Sequence, residues 1–363
     1  MADTGPDLEP EDRRRVVLKD VAALAGVSVK TVSNVVNGYV HVTPATRARV
    51  EAAIRELNYR PNLSARNLRQ GRSGVIALAV PELDIPYFAE LARLVVAAAE
   101  ERSLTVLVDQ TGGDRAREQL VAEGIRAHLI DGLIFSPLAL TGEDLAARTD
   151  DTPMVLLGER IHHGPADHVV VRNVEAAREA TLHLARLGRR RVAAIGAQDH
   201  PAAGTARLRL AGYREALAAA GLPADDGLVA PVAAYHRADG ARAMARLLDR
   251  ADPPDAVFCF NDLLALGALR TLLERGVDVP GDIAVAGFDD IEDGRYATPT
   301  LTTVAPDKEQ LARRAVELLA ERMAGAAPAA REIHVPHRLV VRESTAGRPA
   351  RPAPDPAAAG RTS

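Results

Sequence analysis

The chain has one cysteine, Cys259, so an intramolecular disulfide framework is excluded. No apolar run approaches the length of a membrane span, and "MADTGPDLEPEDRRR" lacks the apolar core of a signal peptide. There is no G-x-G-x-x-G after the first candidate strand, no phosphate-cradling loop and no G-x-S-x-G elbow. His162 and His163 with His168 come nearest to a metal cluster, but the pair lies in a Gly/Pro loop without helical ligand spacing and reads as surface histidines. Asp289-Asp290 and Glu292-Asp293 read as one ligand-facing acid followed by a solvated turn, and Cys259 as a buried small side chain. These absences leave no case for catalysis, a metal or a cofactor. They predict a cytoplasmic protein.

What is present is unevenly distributed. The 363 residues are too many for one compact core, so two or three domains are expected. The net charge of -4 hides a split. Between Arg13 and Arg72 twelve Arg or Lys face only Asp20, Glu51 and Glu56, a local charge of +9 that leaves -13 for the remainder. A basic first segment on an acidic body points to a polyanion partner for one end only. Residues 1–15 and 347–363 are polar or Pro/Ala-rich and predicted to be disordered tails.

"LKDVAALAGVSVKTVSNVVNG" predicts two short helices joined by a tight turn at Gly26. Val21, Leu24 and Ala25 give the first its apolar side. Ser28 caps the second, whose apolar side is Val32, Val35 and Val36. Thr43 and Pro44 announce a third helix carrying Val50, Ala53, Ile54 and Leu57 at helical spacing. This is a helix-turn-helix layout, in which the second helix offers its N-terminal residues to base edges in the major groove. Lys30 can donate to a guanine edge, Asn34 can pair bidentately with adenine, and Val29 can touch a thymine methyl. Tyr39 and His41 follow in a loop that either reaches DNA or is solvated. "YRPNLSARNLRQG", from Tyr59, then gives a helix of about two turns over 63–70, too short to be stable alone in water.

"KDVAALAGVSVKTVSNVVNG", "VTPATRARVEAAIRELNYRPN", "FNDLLALGAL" and "IAVAGFDD" together resemble the lactose/galactose repressor family, in the family's order from about Val16 to Ser344. The resemblance implies a helix-turn-helix domain over 16–61, a hinge helix over 62–73 and an effector-binding, dimerising body over 74–346. It implies base reading by Val29, Lys30 and Asn34, with Thr31, Ser33 and Asn37 holding phosphates or bracing the fold. Tyr59, Asn62, Ala65 and Leu68 fall in the family's hinge segment. There two helices of a dimer pair over the minor groove, Ala65 permits their approach, and Leu68 wedges a base step. The arginines at 60, 66, 69 and 72 would follow phosphates. Val17 departs from the family's usual Thr or Ser cap, so a less crisp start to the first helix is expected.

From Gly74 short apolar runs alternate with amphipathic helices: "GVIALAV", "LTVLVDQ", "GLIFSP", "MVLLGE", "HVVV", "RVAAIG", "AVFCF" and "IAVAGF", with helical segments such as 87–102, 114–127, 175–187, 205–220, 238–250 and 262–275. Such alternation predicts parallel sheets covered by helices, and the number of strands predicts two doubly wound halves. By resemblance this is the two-lobed type I periplasmic-binding-protein-like α/β fold, with crossovers near 171, 301 and 325. Ligands in open α/β sheets bind beyond the C-terminal ends of strands. Those ends collect Asp84, Tyr87, Ser136, Glu159, Arg160, Asn261, Asp262 and Asp289. The resemblance adds Arg209 as an effector-gripping arginine and Asp262 as an acid accepting ligand hydroxyls. Tyr87, Tyr235 and Phe260 could offer apolar faces to a sugar ring, Phe260 equally being strand core. Arg172 stands where the family often has Asp, either outward or towards the cleft, and Gly158 where some members carry an acid.

The expectation is a dimeric, sequence-specific, nucleoid-associated transcriptional regulator, a repressor of a palindromic operator, controlled by a sugar-like effector. Leucine heptads for a tetramer are missing, and prolines at 349, 352, 354 and 356 oppose a coiled coil. The rivals are a solute-binding protein without DNA function and a sugar-modifying enzyme. The basic N-terminal segment opposes the first, the empty catalytic inventory the second.

Overall fold

The structure, a computed structural model, describes residues 16–36, 39, 41–59, 72–124, 129–159, 161, 164–199, 204–326 and 329–347. The chain divides into two compact units, one up to Ser73 and one from Gly74.

The first unit holds α1 (Leu18–Ala25), α2 (Val29–Val36) and α3 (Pro44–Glu56). At the start of α1, Asp20 Oδ2 accepts the Val17 N–H at 2.9 Å, but Val17 itself offers no side-chain cap. Gly26 ends the helix at φ 63°, a left-handed conformation that a Cβ would disfavour. Ser28 Oγ accepts from Thr31 N at 3.1 Å and opens α2, and Thr43 Oγ1 accepts from Thr46 N at 3.3 Å ahead of Pro44. Val21, Val32 and Val50 are fully buried at the meeting of the three helices, with Ala22, Ala25, Val35 and Ala53 around them. Leu24, expected on the apolar side of α1, is instead 46% exposed. Ala22 takes its place, because the buried stripe runs through 21, 22 and 25.

The second unit contains two six-stranded sheets. The first is built from β1 (Val75–Val80), β2 (Thr105–Gln110), β3 (Gly132–Phe135), β4 (Met154–Leu157), β5 (Asp167–Val171) and β11 (Glu332–Val335), in the order β11-β5-β4-β3-β1-β2, all parallel. The second takes β6 (Val192–Ala197), β7 (Val229–Pro231), β8 (Ala256–Cys259), β9 (Ala284–Phe288), β10 (Thr302–Pro306) and β12 (His337–Val340), in the order β12-β10-β9-β8-β6-β7. Among the described residues, only the β10–β12 pairing is antiparallel. The near-continuous burial of β1, β3, β4, β6, β8 and β9 is what two covered faces demand.

Helices α4 (Pro86–Glu100), α5 (Arg115–Ala122), α6 (Gly142–Ala146) and α12 (Lys308–Met323) belong to the first lobe. The second lobe holds α7 (Asn173–Arg186), α8 (Gly204–Ala219), α9 (Arg237–Leu248), α10 (Asp262–Glu274), α11 (Glu292–Arg295) and α13 (Glu343–Ala346). The chain passes between lobes three times, at Arg172, Asp307 and Pro336. The first passage agrees with the expected one near 171. Those expected near 301 and 325 are displaced. Leu301 leads into β10, a buried strand of the second sheet, and Gly325 follows α12, whose Leu311, Ala315, Leu318 and Leu319 pack on the first lobe. The fully buried Asp167 pins this late segment to β5, accepting from Arg322 Nε and Nη2 at 2.9 Å each and from Arg331 N at 2.8 Å.

Candidate functional site

In the first unit, Val29 is 44% exposed and Lys30 beside it is exposed, while Val32 and Val35 one turn on are buried. Asn34 is half-buried on the same helix, as are Thr31 and Ser33. Thr31 Oγ1 lies 2.9 Å from Ser28 Oγ, which fixes the first turn of α2. The first turn of α2 is therefore exposed at Val29 and Lys30, while its Val32 and Val35 side faces the core. Tyr39 is exposed and stacks edge-on with His41 at 5.5 Å between ring centroids. Tyr59 corrects the sequence reading. Expected among the DNA contacts, it is 9% exposed and packs in the core of this unit. Its position at the end of α3 turns the ring back onto the helices. Asn37, Asn62, Ala65 and Leu68 lie outside the described residues.

In the second unit, a cavity of about 370 Å³ lies between the two lobes at the strand ends. Each sheet has a strand, β1 or β6, from which the chain goes first to one side and then to the other. Crevices form at such switch points. The loops after β1, β3 and β4 contribute Glu82, Ser136, Gly158 and Glu159, and those after β6, β8 and β9 contribute Gln198, Asn261 and Asp289. Tyr87 on α4, Arg209 on α8 and Tyr235 ahead of α9 complete the wall. Thus Tyr87, Ser136, Arg209, Tyr235, Asn261 and Asp289 come together as expected. Arg160 is outside the described residues, as are His162 and His163.

Arg209 is the organising cation. Its Nε donates to Asn173 Oδ1 at 2.7 Å, Nη1 donates to the Phe260 carbonyl, and Nη2 stands 4.0 Å from Asp289 Oδ1. Its guanidinium lies 3.5 Å from the centre of the Phe288 ring. Asn173 is itself oriented by donating to the Val171 carbonyl at 3.0 Å. Across the cavity Glu159 Oε1 accepts from Val171 N at 3.3 Å, and Oε2 accepts from Thr205 Oγ1 at 3.0 Å, a bond from one lobe to the other.

Burial pushes the Asp289 carboxyl up to about 6, although Arg209 and Lys308 pull it down. Burial, with Asp289 and Glu159 facing it, also pushes the Tyr87 hydroxyl well up. The Tyr235 hydroxyl donates to the Gly196 carbonyl at 2.8 Å, so its ring is fixed in the wall.

Several expectations fail here. Asp262 is fully buried and absent from the lining. Its Oδ1 accepts from Thr303 Oγ1 at 2.6 Å and its Oδ2 from Ile291 N at 2.9 Å. Burial, with Asp289 near, raises its carboxyl well above the usual range. It is the first residue of α10 and points towards β10, while its neighbour Asn261 faces the cavity and caps the helix at Leu264 N. Of the two readings left open for Phe260, burial holds, and the equally buried Phe288 has its ring covered by the Arg209 guanidinium. Asp84 is exposed and outside the lining. Arg172, read as either outward or towards the cleft, takes the outward course, exposed and paired with Glu175 at 3.3 Å. Asp290 is no solvated turn residue, since it is buried between Arg342 at 2.5 Å and Arg295 at 2.9 Å. His168, read as a surface histidine, is buried on β5 and bonded to the Gly158 carbonyl. Glu82 and Phe288 were missed among the cavity residues, although the strand-end rule reaches both. The rule reaches Gln198 as well, one residue beyond β6, whereas Thr205 carried no comparable signal.

Residues 17–62 match the family described as bacterial regulatory proteins, lacI family, and residues 181–345 match the periplasmic binding protein-like domain. The chain is 37% identical over 344 residues to the HTH-type transcriptional regulator CelR of Thermobifida fusca, covering 92% of this chain and 99% of that one. The chain belongs to the LacI family. As a LacI-family member it is a DNA-binding transcriptional regulator. The ribose operon repressor of Escherichia coli K12 is 35% identical over 309 residues, covering 84% of this chain and 92% of that one. Among solved structures, the lac repressor dimer bound to operator and the anti-inducer ONPF superposes with a TM-score of 0.78 at 29% identity, covering 92% of this chain and 99% of that one. The CelR–cellobiose complex gives 0.68 at 34% identity, covering 91% and 100%.

Proposed function

We propose that this LacI-family chain is a repressor that grips a palindromic operator as a homodimer and that a sugar or sugar derivative in the interlobe cavity controls the grip. The carrying observation is the exposed N-terminal face of α2, with Val29 and Lys30 in solvent and Val32 and Val35 closing the core beneath. Lys30 and Asn34 supply guanine and adenine recognition and Val29 a methyl contact. In the cavity, Glu159 and Asp289 accept ligand hydroxyls, and the Tyr87 and Tyr235 rings offer apolar faces. Arg209 holds Asp289 in place. A lac repressor dimer bound to operator and a CelR–cellobiose complex among the structural neighbours support both halves of the reading. It assigns the cavity to binding without catalysis and puts the protein on nucleoid DNA in the cytoplasm.

The test is a selection of genomic fragments on the full chain, followed by fluorescence anisotropy on the fragment recovered. Lys30→Ala and Asn34→Ala each weaken specific binding by about 1–3 kcal/mol, on the order of 5- to 150-fold. Neither changes the thermal melt of the body. Retention that is indifferent to sequence, or unchanged in both variants, overturns the assignment. A solute-binding protein would give no salt-sensitive retardation at all.

A further inference from the structure

Glu159 and Asp289, which follow β4 and β9, stand with Arg209 in the polar part of the cavity. A different wall comes from the loops after β1, β2 and β3: Pro81, Gly112, Gly113, Pro137, Leu138 and Ala139. In the first sheet β2 and β4 are three strand spacings apart. The loops after them therefore start about 14 Å from each other, more than a single sugar ring spans. This wall has no N–H to offer. Pro81 and Pro137 carry none. Gly112 N donates to the Pro81 carbonyl at 2.8 Å, and Gly113 N to Thr111 Oγ1 at 3.3 Å. Leu138 N and Ala139 N donate to the fully buried Glu118 carboxylate on α5, at 2.7 and 2.9 Å. The same helix takes up the Ala139 carbonyl, which accepts from Arg115 Nη1 at 3.2 Å. The Leu138 side chain is nonetheless 42% exposed. Gly113 packs beneath it, since a Cβ there would lie 3.3 Å from Leu138 Cδ1, whereas a Cβ at Gly112 would meet nothing within 4 Å. Glu82, on the first of these loops, is engaged by His236 Nε2 at 2.8 Å. The cavity thus continues from its polar cluster onto an open apolar shelf.

We propose, resting on the effector reading of this cavity, that the shelf is a subsite for a second ring and that the effector is a two-ring glycoside. One sugar ring sits at Glu159 and Asp289, and the other ring lies with its apolar face on Leu138. A hydroxyl pressed onto a wall without donors loses its water and gains no partner, which is unfavourable. Carbon laid on Leu138 removes apolar surface from water on both sides. The second ring is either a sugar, one face of which is lined by C–H groups, or an aryl aglycone, and the two share that face. The polar cluster fixes orientation and the shelf adds contact area, the usual division in a small-molecule site. A lone monosaccharide held by the polar cluster would leave Leu138 in water.

Isothermal titration calorimetry on the full chain, without DNA, tests this with D-glucose, D-galactose, D-mannose and D-xylose. Each is offered as its methyl β-glycoside, as its phenyl β-glycoside, and as a disaccharide carrying that sugar at the non-reducing end. For a sugar that binds, at least one two-ring form should exceed the methyl glycoside by about tenfold. A gain for the disaccharide alone assigns the shelf to a sugar ring, and a gain for the phenyl glycoside alone assigns it to an aryl aglycone. Leu138→Ala should lower the two-ring affinity about five- to tenfold and leave the methyl glycoside within about twofold of the parent. The side chain is exposed and the backbone bonds to Glu118 do not involve it, so the thermal melt of this variant should match the parent. A methyl glycoside that binds as tightly as both two-ring forms overturns the shelf, and so does an equal loss of one-ring and two-ring binding in Leu138→Ala. If no form of any of these sugars binds, the effector reading itself falls, and the shelf with it.

Discussion

At the scale of single residues, Asp289 concentrates the unusual features of the cavity. Its backbone sits at φ 118°, and Asp290 follows at φ 50°, conformations that side-chain-bearing residues rarely adopt. Lys308 Nζ holds this turn by donating to both carbonyls, at 2.8 and 3.2 Å. Because the folded carboxyl is pushed up to about 6 while an unfolded aspartate titrates near 3.9, the folded state binds the extra proton between these values. Asp289 therefore makes the protein lose stability as pH rises from about 4 to about 6, by at most roughly 3 kcal/mol. Urea denaturation of Asp289→Asn across that range should lack this loss, and an unchanged profile would place the titration elsewhere. Much of this site was legible at residue level, since the strand-end rule reaches Ser136, Glu159, Asn261 and Asp289. It failed at Asp262, where one further step along a new helix reverses the direction of the side chain. The partners of Arg209 were not legible at all, because Asn173 and Phe260 lie far from it in sequence.

At the scale of elements, α9 and α10 lie so close that their glycines carry the contact. A Cβ at Gly267 would fall 1.9 Å from the Arg237 carbonyl oxygen, and one at Gly240 would fall 2.1 Å from that of Leu264. Backbone meets backbone there, so relief requires moving a helix. Gly267→Ala should cost about 1–3 kcal/mol and lower the thermal midpoint of the body, read by calorimetry. A melt indistinguishable from the parent would mean that the helices have room to separate. The same elements explain what the sequence could and could not yield. Long helices and fully buried strands declared themselves through periodicity and apolar runs. The strands β11 and β12 did not, because "EIHV" and "HRLV" are short, polar-rich and only half-buried. The three-residue β7 is shorter still. α12 has Leu311, Ala315, Leu318 and Leu319 at helical spacing, yet leaving it out misplaced two crossovers.

At the scale of the whole molecule, stability of the first lobe depends on residues more than 150 positions further along the chain. Burial would raise the Asp167 carboxyl, but Arg322 and Arg331 hold it well below the usual carboxylate range. Its contribution is present above the unfolded value near 3.9 and lost as pH falls below it, the opposite sign to Asp289. Asp167→Asn should destabilise the body by about 3–5 kcal/mol at neutral pH, since Arg322 loses its buried counter-charge and Arg331 keeps only Glu321. Equal acid sensitivity of variant and parent in urea titrations would refute that linkage. The threefold passage between lobes has an effect during synthesis as well. A ribosome that has emitted the chain as far as residue 300 has released neither α12 nor either of the edge strands β11 and β12, so both sheets must wait with uncovered flanks. The small three-helix unit, closed by local contacts, is complete long before. Nonsense mutations between residues 300 and 335 would therefore give polypeptides with a finished head on an unfinished trunk, prone to clump and be degraded.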